Sequence, residues 1–130
     1  MHKMQELIEL VRKCVDNCPW CKEQSFEQHL EQLFLEAEEL REEVKKKDSE
    51  GMKGELGDLL WDVMMLLHIA EHRKMLDPDE VINGVIEKMK RRKPYIVNGE
   101  TVTIEKAMRI WNEEKAKEKK AKMLKAGQEG

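Results

Sequence analysis

The 130-residue chain is short of the residues that punctuate turn-rich folds, with only three prolines and seven glycines. Many-stranded architectures need both at their turns, so a β-rich fold is excluded and long helices are expected. Aromatics are also scarce, with three Trp, one Tyr and two Phe. Aliphatic side chains and the nine methionines must therefore build the core. No apolar run approaches the roughly 18 residues that span a bilayer, and no signal-peptide-like apolar stretch opens the chain. A soluble cytoplasmic protein without membrane contact is expected. The length suits one domain with a real core and no room for a second.

Charge, in contrast, is plentiful. Charged residues make up 39% of the chain, with a net charge of −3. Residues 1–65 hold 9 basic and 16 acidic side chains, or −7, and residues 66–130 hold 15 and 11, or +4. That asymmetry suits a site where acids hold cations and basic groups reach an anionic substrate, although differently decorated solvent faces also produce it.

Periodicity predicts five helices in an all-α, four- to five-helix bundle. Leu7, Ile8, Leu10, Val11, Cys14 and Val15 mark the first, over 3–15. Pro19 breaks the chain after it. Ser25 is the expected cap of a second helix to about Lys47, with a stripe of Phe26, Leu30, Leu33, Ala37, Leu40 and Val44. A short turn at 48–51 makes the third helix, capped by Ser49 and running to about Lys74, an antiparallel neighbour. This helix is apolar nearly all round, which places it centrally. Asp77-Pro78 opens a fourth, ended by Pro94. A loop or small hairpin around Asn98-Gly99 leads to a fifth helix over 103–122. The helical domain is expected over 1–125, with a frayed tail at 126–130.

The chemistry concentrates in two acid pairs, Glu36-Ala37-Glu38-Glu39 and Glu55-Leu56-Gly57-Asp58. Acids three apart project from nearly the same side of a helix. Glu55, Asp58 and Asp62 fall within about 60° of one another, in register with the core-facing stripe that continues to Ile69. Carboxylates in such a position raise each other's pKa unless counter-charge is present. An all-oxygen ligand set selects hard ions, so Mg²⁺, with Mn²⁺ as a substitute, is the expected partner. A carboxylate-bridged di-iron centre would require Glu-x-x-His. Phe26, Met65 and Ile69 stand three residues before His29, His68 and His72, so that motif is missing. Gly57, in mid-helix at a cost of about 1 kcal/mol relative to Ala, suggests close approach of another helix or a phosphate.

The segments Cys18-Pro19-Trp20 with Lys22-Glu23-Gln24-Ser25, Leu35-Glu36 through Glu39, and Glu55-Leu56-Gly57-Asp58-Leu59-Leu60 resemble the MazG-type nucleoside triphosphate pyrophosphohydrolases. The likeness continues through Glu87 to Pro94 and at Trp111, Lys115 and Glu118-Lys119, so it covers roughly residues 6–120. It implies hydrolysis of a nucleoside triphosphate to monophosphate and pyrophosphate, and a homodimer or dimer of dimers. Glu36, Glu39, Glu55 and Asp58 would hold the metal, with Glu36 or Glu39 as the catalytic base. Trp20, Lys22, Lys88, Arg92, Trp111 and Lys115 would contact substrate. Asp62 is not required by the family pattern and is placed behind the ligands.

The chain departs from the pattern at Leu35 and Cys21, where acids are usual, at Lys93 before Pro94, and near Gly51, where a lysine is common. Those departures bear on substrate preference more than on chemistry. Phosphoribosyl-ATP or deoxynucleotide-specific hydrolysis on the same scaffold is an alternative. A non-catalytic interaction module is another, although Glu113, Glu114 and Glu118 interrupt the basic C-terminal helix and make nucleic-acid binding unlikely. Cys14, Cys18 and Cys21 have the spacing of an iron–sulfur triad, and Cys18-Pro19-Trp20-Cys21 that of a redox pair. Without the usual fold context they are expected to be reduced thiols with no metal or redox role.

Overall fold

The computed structural model describes residues 2–129, with side chains through Gly127. It is all-α, and no strand occurs among the described residues. Five long helices match the expected five: α1 (His2–Asn17), α3 (Phe26–Lys46), α4 (Ser49–His72), α5 (Pro78–Arg92) and α7 (Ile104–Glu129). Two five-residue helices join them, α2 (Pro19–Glu23) and α6 (Pro94–Asn98). Each begins with a proline, whose fixed φ suits a first helical turn and whose missing N–H costs nothing there. The loop or hairpin expected after Pro94 is therefore α6 in its first half, closed by Gly99 at φ 69°.

The caps explain where the long helices start. Ser25 Oγ accepts from the Gln28 amide and Gln28 Oε1 from the Ser25 amide, a reciprocal capping box. At α4 the cap is Asp48, one residue before the expected Ser49, because its carboxylate reaches the Gly51 amide at 3.1 Å. Thr103 Oγ1 accepts from the Lys106 amide and opens α7. That helix runs through the expected stop at Lys122 to Glu129, since no proline interrupts it. Of the tail expected over 126–130, residues 126–129 belong to α7 and Gly130 lies outside the described residues.

Two compact units divide the chain, Met1–Pro78 and Asp79–Gly130. In the first, α3 and α4 form a helical hairpin through a turn in which Lys47 adopts the left-handed conformation (φ 58°). At Gly51 a Cβ would meet the carboxylate end of the Glu43 side chain, which can turn aside, so the turn does not depend on that glycine. Gly57 marks no close approach either, because a Cβ at that position would meet nothing within 4 Å. Helix α1 packs on α4, and α2 folds back against α1. Val11, Val15, Cys21, Met65 and Ile69 are the buried core, flanked by Leu7, Cys14, Cys18, Phe26, Trp61 and Met64.

Helix α4 explains its own all-round apolarity by having two apolar sides. Trp61, Met65 and Ile69 face the core, whereas Leu56, Leu60 and Val63 are about half exposed. It is central to one unit on one side only. In the second unit, Arg92 and Arg91 of α5 donate to the two carboxylate oxygens of Glu118 on α7, at 2.6 and 3.0 Å. The Arg92 guanidinium also stacks 4.7 Å from the centre of the Trp111 ring.

Candidate metal centre

The hairpin turn decides the geometry of the acids. It sets the third and fourth turns of α3 beside the second turn of α4, which is where the two acid pairs stand. Glu36, Glu39 and Glu55 each bring a carboxylate oxygen within 4.8 Å of the others. Asp58, one turn further along α4, is exposed and lies outside that group of three.

Three carboxylate oxygens there are buried with no hydrogen-bond partner: Glu36 Oε2, Glu55 Oε2 and Asp62 Oδ2. Such atoms are costly unless a cation or proton satisfies them. Without a cation, Glu55 and Asp62 hold their protons more tightly than free carboxyls. Burial pushes the Glu55 carboxyl up to about 7, helped by hydrogen bonds to Glu39 and Glu36 and by their charge. Burial also raises Asp62 to about 6, with Glu36 and Asp58 adding repulsion. Gln32, one turn before Glu36, donates to Glu36 Oε1 at 3.0 Å. That bond fixes the carboxylate and leaves its second oxygen as the orphan. The donor set is all oxygen, anionic and desolvated, so the residues present fit a hard divalent cation.

Glu36 and Asp62 also line a cavity of about 270 Å³ with Trp61, Gln32, His29 and the three cysteines. Trp20 stands at its rim and is 72% exposed. Lys22 lines a different cleft, beside Arg73 and His72. In the second unit, Lys88, Arg92 and Lys115 line one open groove of about 410 Å³ together with Arg91, Lys119 and Lys122. Trp111 belongs to a neighbouring cavity with Tyr95, Met108 and Lys93. Arg92 is already engaged by Glu118 and Trp111, so it is a fixed cation and not a mobile clamp. Its pairing holds the Glu118 carboxyl below the usual range. Sequence reasoning did not select Gln32, although its i, i+4 relation to Glu36 is visible, nor His29, whose burial depends on packing.

A helical hairpin whose facing turns gather a carboxylate cluster is the class of all-α protein that fold and site define. Comparison with known proteins gives that class its family. Residues 24–97, more than half of the chain, match the MazG nucleotide pyrophosphohydrolase domain. The chain belongs to that family. It is 29% identical over 122 residues to a nucleoside triphosphate pyrophosphohydrolase of Mycolicibacterium smegmatis, covering 92% of this chain and 38% of that protein. It is 27% identical over 99 residues to one of Escherichia coli, covering 74% of this chain and 38% of that protein. The chain thus spans well under half the length of these curated relatives. The crystal structure of a mazG-related protein from Thermotoga maritima superposes with a TM-score of 0.81 at 35% identity, covering 86% of this chain and 98% of that one.

Proposed function

We propose that this chain hydrolyses nucleoside triphosphates to nucleoside monophosphate and pyrophosphate in a Mg²⁺-dependent reaction. The observation that carries the reading is the set of orphaned buried oxygens on Glu36, Glu55 and Asp62 beside the Glu36–Glu39–Glu55 cluster. Glu36, Glu39 and Glu55 would hold the cation, with Asp58 as the fourth acid of the two pairs. Bound Mg²⁺ supplies charge neutralisation for the phosphate oxygens and lowers the pKa of a water.

The chain's own groups do the rest. Gln32 keeps one oxygen of Glu36 occupied, so proton acceptance falls to Glu36 Oε2 or to Glu39. Asp62 keeps the surroundings of Glu36 negative and favours cation over proton. Lys88 and Lys115 supply positive charge for the polyphosphate, and Arg92 presents a guanidinium of fixed orientation. Trp20 and Trp111 offer faces on which a base can stack, and Lys22 adds a further cation.

The exposed stripe of Leu56, Leu60 and Val63 supports a homodimer, or a dimer of dimers, in a soluble cytoplasmic enzyme. The family names of the relatives favour nucleoside triphosphates as a class; clearance of non-canonical or excess nucleotides is the proposed role.

The test is a panel of triphosphates with Mg²⁺, scored for pyrophosphate against phosphate. Glu39→Gln and Asp58→Asn are expected to abolish turnover with helicity unchanged by circular dichroism. Near-normal activity in both variants overturns the reading.

A further inference from the structure

The three cysteines take no part in that chemistry, yet they are gathered at the cavity that Glu36 and Asp62 line. All three are free thiols, with Cys21 buried and Cys14 and Cys18 partly accessible. Cys18 is the residue before α2, and Cys21 is the third residue within it. The Lys22 amide donates to the Cys18 carbonyl at 3.1 Å, so Cys18, extended in its own φ and ψ, joins the helical path of α2 as its capping residue. On that path residues three apart have Cα atoms about 5 Å from each other, inside the range a disulfide spans.

We propose that Cys18 and Cys21 are a peroxide-oxidisable pair, forming a reversible disulfide in the wall of the metal-site cavity.

The side chains divide the labour. The Cys21 and Trp20 backbone amides at the start of α2 lower the Cys18 thiol, which favours its thiolate. Burial keeps the Cys14 and Cys21 thiols protonated, and the nearby Cys18 charge reinforces this. Cys18 caps the helical turn that holds Cys21, and both side chains line the same cavity.

The chemistry balances with hydrogen peroxide as oxidant. Cys18 thiolate attacks one peroxide oxygen; an S–O bond forms, the O–O bond breaks and hydroxide leaves, which oxidises the sulfur by two electrons to sulfenic acid. The Cys21 thiol then loses its proton and attacks that sulfur. The S–S bond forms, the S–O bond breaks, and the hydroxyl leaves as water with the proton. Two thiols and one peroxide give one disulfide and two waters.

A soft metal is the competing occupant of such thiols. Sulfurs around zinc lie about 3.8 Å apart for bonds of about 2.3 Å. Among the described residues, the three ligand atoms found within 4.8 Å of one another are those of Glu36, Glu39 and Glu55, and no thiol set meets that spacing. Trp20 stands between the two cysteines in sequence and is exposed at the cavity rim.

The full chain, purified reduced and without oxygen, is treated with a small excess of hydrogen peroxide and weighed intact. The expected product is about 2 Da lighter, keeps one of its three thiols for alkylation and returns to the starting mass with dithiothreitol. Cys14→Ser is expected to keep this behaviour. Cys18→Ser is expected to lose it, and Cys21→Ser to stop at the sulfenic acid, about 16 Da heavier. Because Cys21 is buried, alkylation of the unmutated protein at neutral pH gives an independent reading: Cys18 should react at least about tenfold faster than the other two. Disulfide formation that survives Cys21→Ser, equal alkylation rates, or stoichiometric zinc in the purified protein would each overturn the proposal. The consequence for turnover rests on the function proposed above and is read separately. An inactive reduced form would count against that function and leave the disulfide standing.

Discussion

The strongest quantitative consequence of the acid cluster is that cation binding must displace a proton. Glu55 titrates at about 7 when no cation is present, mainly because it is desolvated and also because Glu39 and Glu36 share hydrogen bonds and charge with it. A cation competes with that proton. At pH 8 the carboxyl is about nine-tenths ionised and binding is nearly unimpeded; at pH 6 it is about nine-tenths protonated, which weakens apparent affinity roughly tenfold. Asp62, at about 6, contributes a further factor of about two at pH 6 if it too must ionise. Isothermal titration with Mg²⁺ or Mn²⁺ in buffers of different ionisation enthalpy measures both the affinity and the protons released. The expectation is about one proton released per site at pH 6 and little at pH 8. Glu55→Gln should abolish the release. Stability has the matching sign. A carboxyl whose folded pKa is raised favours the folded state below its unfolded value of 4.5, and that advantage is lost as pH rises through about 7. The metal-free protein should therefore lose thermal stability between pH 5 and 8, and added Mg²⁺ should restore most at the alkaline end. Affinity unchanged between pH 6 and 8, without proton release, would refute the account of the site.

Other consequences follow from packing. Val11 is fully buried in the α1–α4 core, and Val11→Ala should cost about 1–3 kcal/mol in urea denaturation, by loss of buried methyls and the cavity left behind. Glu118→Gln removes the charge that Arg91 and Arg92 share; it should lower the melting temperature at pH 7 and have little effect once pH falls below the carboxyl's depressed folded value. The sign is that of a lowered carboxylate, whose stabilisation is present above its unfolded pKa and lost as it is protonated. Leu60→Glu puts a charge into the exposed stripe of α4; analytical ultracentrifugation should show the proposed dimer converted to monomer without loss of helicity, and an unchanged sedimentation coefficient would remove that face as the interface.

Much of the fold was legible because its signals are local. Pro19, Pro78 and Pro94 set helix boundaries through backbone geometry, and Ser25 announced α3 through a capping box three residues long. Where the reading slipped, two local options were nearly equal. Asp48 and Ser49 are both good caps, and the choice was made by which side chain reached the Gly51 amide. Asn98-Gly99 reads as a hairpin turn until Pro94 starts a helix that uses Gly99 as its left-handed stop.

The candidate site was legible in kind and incomplete in detail. Spacing alone put Glu36, Glu39 and Glu55 on facing turns, because helical period and a short loop leave few other arrangements. It could not show that Asp58 is exposed and outside the group of three, or that Asp62 has an orphaned buried oxygen. Both follow from a few tens of degrees of helix rotation, which is set by how Trp61, Met65 and Ile69 pack against α1 and not by the acids themselves.

The same rotation gives the acid centre its strength. Asp62 sits about 20° from Ile69 around α4, so the packing that buries Ile69 drags Asp62 out of water with it. Asp58 lies as near to Ile69 around the helix, about 20°, yet is exposed, and Glu55, about 40° away, is half-buried. The apolar core thus supplies the desolvation that raises these carboxyls, and a cation gains more there than on a solvated helix face. Had α4 been rotated by one residue, its core would have lost Ile69 and the acids would have become ordinary surface charges. Core packing and cation affinity are therefore consequences of one helix register.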